Sequence, residues 1–413
     1  MSSSTGTKYA VRSLARHTRR SILSVAGIGL GCGVCLLLVS FVRGEGEMMM
    51  RAAARSGAGH LRVVPAQWVQ TREADLRLAD GPRLVDKLRG RAGFEAVAPH
   101  ARTDGLLGFG TRTAGVQMVG VDPQVEPALN RLVREVTRGR YLKPGERGAV
   151  VVGKAIADRL DVAVDDDLMV TVSGQGGEMR SAMLRIVGLV STGSRDLDAG
   201  LCHVSLAELA EITGYAPVAE ITILLADPER LQEMHRSLEK ELPDRLAVVT
   251  WAELVPELAQ GVKIDETWTN LMVGLVVAMV FLGIASAQLA AALERRREFA
   301  VLAALGMPRW RLAGVLVVEG LFLGLTGAAA ALALSLPFAW LLAWQGIDFT
   351  ELYGGADLAV SNVLLDPIIY GDFGWWLVPL GLGLALTATV LSSLYPSWYA
   401  VRTDPADALR VEQ

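Results

Sequence analysis

The sequence has only three cysteines and five histidines among its 413 residues. Cys32 and Cys35 lie inside a long apolar run and Cys202 stands alone in a more polar region, which excludes a framework of intrachain disulfides. The histidines lack the HExxH motif and any other paired-ligand spacing of a metal site. A GxSxG motif for a nucleophilic serine is absent as well. The sequence therefore predicts a chain that is not an enzyme and binds no metal.

One motif superficially suggests a nucleotide site. Residues 148–154 have the GxxxxGK spacing of a phosphate-binding loop, but Ala155 follows the lysine. The serine or threonine hydroxyl that would hold magnesium is therefore missing, and the valines between the glycines are typical of a β-strand. We expect no cofactor bound by this chain.

Four long stretches of the chain each contain at most one charged side chain. Residues 21–42, 267–293 and 373–401 contain no charged side chain, and residues 312–347 contain only Glu319. Each run exceeds the roughly 20 apolar residues that cross a bilayer as a helix. We predict transmembrane helices at 21–43, 267–293, 312–345 and 373–400. The third is expected to be one long or tilted helix, with Pro337 near its outer end.

The charges outside these runs orient the chain in the membrane. Residues 1–20 carry five basic side chains and no acid, whereas residues 345–376 carry five acids and no lysine or arginine. Because positive charge is retained in the cytoplasm, we expect segments 1–20, 294–311 and 401–413 to be cytoplasmic. Residues 44–266 and the loop 346–372 are then on the opposite, outer side of the membrane.

Residues 44–266 have the composition of a soluble domain, with room for one or two lobes. Short β-like runs and amphipathic helical patterns alternate through it. The predicted strands are 60–64, 114–121, 149–152, 168–172, 184–190, 221–225 and 247–250, and the predicted helices are 154–160, 205–213 and 228–242. Ser205 with Glu208 predicts a capping box. Helical patterns at both ends of the domain predict that the first and second spans continue outward as a stalk. The expected fold is a membrane protein with four transmembrane helices and a large α+β domain inserted between helices 1 and 2.

Two intramembrane features are candidates for a role. Gly27, Gly29, Gly31 and Gly33 form overlapping GxxxG patterns in the first run, which favour close packing of a helix pair or a dimer interface. Glu319 is the one ionisable side chain within the runs. An intramembrane carboxylate is a functional-site candidate, and the alternative is a structural partner for an arginine near the inner surface.

The basic loop 294–311 has the sequence ERRREFAVLAALGMPRWR. This loop resembles the cytoplasmic coupling helix of the FtsX/MacB-type permeases of ABC transporters. Glu319 with the glycines that follow it, and the ending from Tyr395 to Arg410, are also similar to that family. The resemblance covers the whole chain in its order of spans. It implies a multi-pass protein of a bacterial inner membrane, with residues 44–266 and the loop 346–372 in the periplasm.

The resemblance implies that the chain hydrolyses no ATP itself. Two permeases, identical or paralogous, would bind two copies of a separate ABC ATPase, which would hold the ATP and magnesium. The MacB exporters carry their ATPase ahead of the first span; since only 20 residues precede that span here, we expect a separate subunit. The implied ATPase-coupling residues are Glu294, Arg295, Arg296, Arg297, Glu298, Leu302, Leu305, Gly306, Arg309 and Arg311.

The resemblance implies a mechanism called mechanotransmission. Closure of the ATPase dimer would draw the coupling helices together, and this motion would be transmitted to the external domains. Four short segments of the external domain resemble the lipoprotein-release permeases more than the macrolide exporters. They are residues 60–63, 119–123, 148–160 and 186–188. The alternatives are an exporter with a periplasmic adaptor, an FtsX-like regulator of a cell-wall hydrolase, or a sensor without transport. The expected partners are the ATPase, a second permease, a periplasmic carrier or adaptor, and membrane lipid, with no nucleic acid.

Overall fold

The computed structural model describes residues 18–294, 297–298, 301, 307–351, 359–360 and 363–402. The helices in chain order are α1 Thr18–Ala54, α2 Trp68–Thr71, α3 Gly81–Arg89, α4 Glu126–Leu129, α5 Lys154–Leu160, α6 Arg195–Gly200, α7 Leu206–Thr213, α8 Leu231–Glu241, α9 Trp251–Leu254, α10 Pro256–Glu294, α11 Arg309–Gln345 and α12 Leu377–Arg402. The strands are β1 Leu61–Pro65, β2 Phe94–Phe109, β3 Arg112–Val121, β4 Val136–Gly139, β5 Ala149–Gly153, β6 Asp167–Ser173, β7 Met179–Val190, β8 Cys202–Ser205, β9 Glu220–Leu225 and β10 Leu246–Thr250. Two-residue strands follow at Ile347–Asp348, Ala359–Val360, Val363–Leu364 and Ile368–Ile369.

Four of these helices in the described part of the chain are long and apolar enough to cross a membrane: α1, α10, α11 and α12. The chain divides into two compact units. The membrane unit comprises residues 1–45, 263–347 and 369–413, and the inserted unit comprises residues 46–262 with 348–368. The third apolar run forms a single helix that contains Pro337.

Small side chains let the membrane helices approach closely. Ala328 and Ala331 of α11, Ala385 of α12, and Ile28 and Cys32 of α1 share one buried cluster. The Thr389 hydroxyl on α12 is satisfied within the helix, because Oγ1 donates to the carbonyl of Ala385 at 2.8 Å. This arrangement suits lipid, where unpaired polar groups are costly and close van der Waals packing drives association.

The inserted unit has two lobes, which share strand β2. In the first lobe, β10, β1, β9 and residues 94–100 of β2 form an antiparallel sheet. Helices α3 and α8 cover it with Val85, Leu88, Met234 and Leu238. Both helices are amphipathic, so one face of each buries apolar surface while the other remains in water.

The second lobe is a closed ring of six strands. Residues 101–109 of β2 pair with β3, and the ring continues through β8, β5, β7 and β6 back to β2. Leu107, Met118, Val152, Val170 and Ile186 fill its interior. Closing the ring removes free sheet edges within these strands.

Strand β2 is one of the strands that the sequence did not predict, although it is the longest strand of the domain. Pro99, Gly105 and Gly108 interrupt its pattern of apolar side chains. Residues 96–101 are all buried, because this part of the strand joins two sheets and is covered on both faces, so the usual alternation disappears. At Gly105, an added Cβ would lie 2.8 Å from a methyl carbon of Val172.

The predicted capping box at Ser205 is only half formed. Ser205 Oγ accepts a hydrogen bond from the backbone N–H of Glu208 at 3.2 Å, as expected of an N-cap. The Glu208 carboxylate does not return to Ser205 and instead accepts from the N–H of Gly148 at 2.9 Å. The side chain therefore links α7 to the start of β5, a tertiary contact that the local motif does not contain.

Candidate functional sites

The predicted coupling segment is described only in part. Helix α10 ends at Glu294, Arg297 and Glu298 are helical, and α11 begins at Arg309 after Pro308. Trp310 is highly exposed, and the Arg311 guanidinium carbon lies 5.2 Å from the centre of its ring. Arg295, Arg296, Leu302, Leu305 and Gly306 lie outside the described residues. An exposed aromatic side chain beside a cation, between two apolar helices, is a surface that a protein partner can bind.

Glu319 lies in a small polar site between membrane helices. It is buried and lines a cavity of about 20 Å³ with Ser21 and Ser24 of α1 and Gln288 of α10. Among the described residues, neither polar side-chain atom of Gln288 has a hydrogen-bond partner, and the side chain is buried. The cavity is large enough for one water molecule. The site brings together polar groups from three predicted spans, and the sequence had identified only one of them.

Three of the four glycines of the first span contact other spans of the same chain. An added Cβ at Gly29 would lie 2.9 Å from Cβ of Ala330, and one at Gly33 would lie 3.4 Å from a methyl carbon of Leu334, both on α11. At Gly31 it would lie 2.5 Å from a methyl carbon of Val280 on α10. At Gly27 nothing in the described part of the chain lies within 4 Å. The GxxxG pattern thus serves packing within the chain at three positions.

A set of polar contacts joins the outer end of α1 to the start of the last span. The backbone N–H of Asp372 donates to the carbonyl of Ser40, and Ser40 Oγ donates to the carbonyl of Asp372, each at 2.8 Å. Arg43 Nε lies 3.1 Å from the Asp372 carboxylate, and its guanidinium lies over the Trp376 ring. The sequence showed the acidic character of residues 345–376 but gave no sign that Arg43 is the partner of Asp372.

A buried polar network occupies the point where β2 passes from one lobe to the other. His100 Nε2 lies 2.6 Å from Glu126 Oε2, and His100 Nδ1 lies 2.9 Å from Thr222 Oγ1. Asn130 Nδ2 donates to Glu126 Oε1 at 3.1 Å. Burial alone would raise the pKa of Glu126, but the charge and hydrogen bond of His100 outweigh it and lower the pKa to about 2. The network ties α4 to strands β2 and β9.

The hairpin of β6 and β7, together with the adjacent strand β2, presents an exposed apolar surface, which we call the methionine face. It consists of Leu106, Met169, Met179 and Met183, whose side chains are between 45% and 70% exposed. Met169 and Met183 are directly opposite each other across the two strands, and Gly108 of β2 is opposite Met169. The alternate side chains, such as Leu168 and Leu184, are buried. Exposed methionines on a folded sheet are typical of surfaces that bind adaptable apolar partners.

Four predicted spans with a large α+β domain between the first and second define the architecture of a transport permease. Residues 21–241 match the family described as the MacB-like periplasmic core domain. Residues 270–405 match the family described as the FtsX-like permease C-terminal region. The chain therefore belongs to the FtsX/MacB-type permeases of ABC transporters. The predicted family and fold class are confirmed.

Individual relatives cover nearly the whole chain. The lipoprotein-releasing system transmembrane protein LolC of Neisseria meningitidis serogroup B is 25% identical over 401 residues, which is 95% of this chain and 94% of that protein. LolE of Haemophilus influenzae is 22% identical over 400 residues, covering 94% and 93%. Among solved structures, the periplasmic region of MacB from Actinobacillus actinomycetemcomitans matches with a TM-score of 0.34 and 15% identity, covering 54% of this chain and 97% of that one. This chain is a bacterial membrane protein of the ABC permease class.

Proposed function

We propose that this chain is the permease subunit of an ATP-driven transporter that releases lipoproteins from the inner membrane to a periplasmic carrier. Full-length relatives that are named as lipoprotein-releasing proteins support the proposal. The observation that carries it is the methionine face, because a protein that passes lipid-anchored cargo to a soluble carrier needs exposed apolar surface in the periplasm. A regulator of a hydrolase has no such need.

The methionine face is the proposed docking surface for the carrier. It belongs to the second lobe, whereas both helices that lead to the spans pack into the core of the first lobe through Ala53 and Leu258. The four side chains carry no charge, and the unbranched methionines can adapt to a partner that itself exposes apolar surface for lipid. A carrier able to accept acyl chains has that chemistry.

The ATPase is the proposed source of energy. Two copies of a separate ABC ATPase, which would hold ATP and magnesium, would engage a pair of permeases, either identical or paralogous. The coupling contact is proposed for the basic segment 294–311, with Glu294, Arg297, Glu298, Arg309 and Arg311 among its residues. Closure of the ATPase dimer would move the coupling segments, and the long helices α1 and α10 would transmit that motion to the inserted domain.

The first test is lipoprotein sorting in cells depleted of this chain. Release of lipoproteins predicts that outer-membrane lipoproteins accumulate in the inner-membrane fraction after depletion. Correct sorting after depletion would contradict the proposal, and loss of export of a soluble compound with intact sorting would favour the exporter alternative.

The second test concerns the methionine face. Met169→Asp with Met183→Asp is expected to weaken carrier binding and to reproduce the sorting defect, because two charges would have to be buried at the contact. Val69→Asp, at an exposed apolar residue outside the hairpin, is the matched control and should leave sorting intact. Normal carrier binding by the double variant would exclude this face as the docking surface.

The third test concerns the coupling segment. Arg296→Glu with Glu298→Arg is expected to abolish binding of the ATPase subunit or its stimulation by the permease. The matched control reverses an exposed ion pair of the inserted domain, Arg230→Glu with Glu233→Arg. Unchanged co-purification and ATPase stimulation in the first variant would show that the contact lies elsewhere.

A further inference from the structure

A cleft of about 340 Å³ lies between the two lobes of the inserted domain. Arg62 and Glu220 from the first-lobe strands and Arg102 from the second-lobe part of β2 line its polar side. Arg72, which follows α2, lines it as well. The volume is within the range of small-molecule sites in proteins. Neither the methionine face nor the described part of the coupling segment contributes a residue to this cleft.

A buried carboxylate holds two of the arginines in place. Glu220 Oε2 accepts a hydrogen bond from Arg62 Nη1 at 3.2 Å, and Glu220 Oε1 accepts from Arg102 Nε at 2.8 Å. Burial would raise the pKa of Glu220, but the charges of Arg62 and Arg102 lower it to about 2, so the carboxylate is ionised. The remaining nitrogens of Arg62 and Arg102 are thereby fixed beside the cleft.

One guanidinium nitrogen of the arginines that line the cleft is unpaired. The Nε of Arg62 is buried and has no hydrogen-bond partner among the described residues, although Arg62 Nη2 donates to the carbonyl of Gly57 at 3.0 Å. Arg72 uses Nη2 for the carbonyl of Glu253 at 3.2 Å. A buried donor without a partner is costly, and three guanidinium groups around one cleft form a ready oxyanion site.

The other side of the cleft is apolar. The Arg72 guanidinium carbon lies 4.2 Å from the centre of the Trp68 ring, so cation and indole are stacked. Leu76, Leu254 and Val255 continue this wall. The cleft therefore combines a side lined by guanidinium groups with an apolar wall, which is the arrangement an amphiphilic anion requires.

The charges of the cleft define the ligand further. Three arginines face two acids, Glu73 and Glu220, which leaves one positive charge. A ligand with a single negative charge would neutralise this positive charge, whereas a phosphate dianion would leave the cleft with one excess negative charge. We propose that the cleft binds an amphiphilic monoanion whose head is a phosphodiester or a carboxylate and whose apolar part packs against Trp68. This inference is independent of lipoprotein release.

Calorimetric titration of the full chain in nanodiscs of zwitterionic phosphatidylcholine tests the proposal. The soluble probes are dibutanoyl phosphatidylglycerol, butanoate, dibutanoyl phosphatidylcholine and inorganic phosphate. Saturable binding is expected for phosphatidylglycerol or for butanoate, and the tighter of the two identifies the head group. Phosphatidylcholine and inorganic phosphate should bind at least about tenfold more weakly, because the first has no net charge and the second no apolar part.

Substitutions of residues that line the cleft test whether the ligand binds there. Arg72→Ala and Arg102→Ala should each weaken binding at least about tenfold, since each removes charged donors. Trp68→Leu should weaken it less. Arg112→Ala is the control, because Arg112 is an exposed arginine that pairs with Asp161 away from the cleft. Melting temperatures verify that each variant is folded.

Three outcomes would overturn the proposal. The first is the absence of saturable binding by both anionic amphiphiles. The second is binding of inorganic phosphate or phosphatidylcholine as tight as that of the anionic amphiphiles. The third is binding that Arg72→Ala and Arg102→Ala leave unchanged in folded protein.

Discussion

His100 Nε2 and Glu126 Oε2 are 2.6 Å apart in the interior of the inserted domain, at the residue where β2 leaves one sheet and enters the other. Both side chains are almost completely buried. Through this pair and the contact of His100 with Thr222, α4 is fixed against β2 and β9 at the point where β2 continues into the second lobe.

Glu126→Ala is expected to destabilise the inserted domain by about 3–5 kcal/mol, because it leaves His100 Nε2 and Asn130 Nδ2 buried without the carboxylate that they contact. Thermal unfolding of the purified chain measures the effect. Glu126→Gln should be milder, since an amide can replace both hydrogen bonds. Glu229→Ala, at an exposed glutamate, is the control. Equal melting temperatures for Glu126→Ala and the control would show that the network does not contribute to stability.

Acidification is expected to lower stability well before the carboxylates titrate. Burial lowers the pKa of His203 and of His60 from 6.5 to about 4. The unfolded chain therefore binds more protons than the folded chain as the pH falls from about 6.5 to 4, and stability decreases over this window. The lowered pKa values of Glu126 and Glu220 contribute stability that is lost only below about 4.5.

The measurement is the melting temperature between pH 7.5 and 5. His203→Asn should reduce its pH dependence, with the contribution of His60 remaining. The position is suited to this substitution because His203 Nδ1 lies 3.0 Å from the hydroxyl of Tyr141, a contact that an amide can also make. An identical slope in the variant and the native chain would contradict the assignment.

Gly31→Val is expected to destabilise the membrane unit by about 1–3 kcal/mol, because its side chain would overlap Val280 on α10. Gly27→Val is the matched control on the same helix, since no described atom lies within 4 Å of its added Cβ. The yield of folded chain in detergent and its melting temperature distinguish the two. If Gly27→Val is the more harmful, that face of α1 is covered by another chain.

Glu319→Gln is expected to retain stability and ATPase stimulation, because an amide can keep the hydrogen bonds of a structural carboxylate. Glu319→Leu should cost about 1–3 kcal/mol, since Ser21, Ser24 and Gln288 would face an apolar side chain in the cavity. Melting temperature and ATPase stimulation are measured together. Loss of stimulation in a stable Glu319→Gln variant would instead assign the negative charge a role in transport.

Local sequence patterns were sufficient to predict much of the secondary structure of the inserted domain. The seven predicted strands all occur, because their side chains alternate between core and solvent or form short apolar runs. Helix α5 begins and ends where the sequence predicted it. Strand β2 escaped detection because it joins two sheets and therefore lacks a single apolar face. Helix α3 was missed as well, although its apolar residues have helical spacing.

The candidate sites were less predictable. The sequence identified Glu319 but not Gln288, and it found the four glycines but not the helices they contact. It contained no sign of the cleft, since Arg62, Arg102 and Glu220 are far apart along the chain and each resembles an ordinary surface charge. Only the pairing of β1, β9 and β2 brings these side chains together.

The sequence by itself determined the number of spans, the insertion of the domain and the family, because apolar length, charge asymmetry and short motifs are local properties of the chain. The tertiary structure decided which glycine faces which helix, how β2 joins the lobes, and which charges are buried in pairs. Those outcomes depend on contacts between residues distant in sequence, whose energies arise only when the helices and sheets have packed.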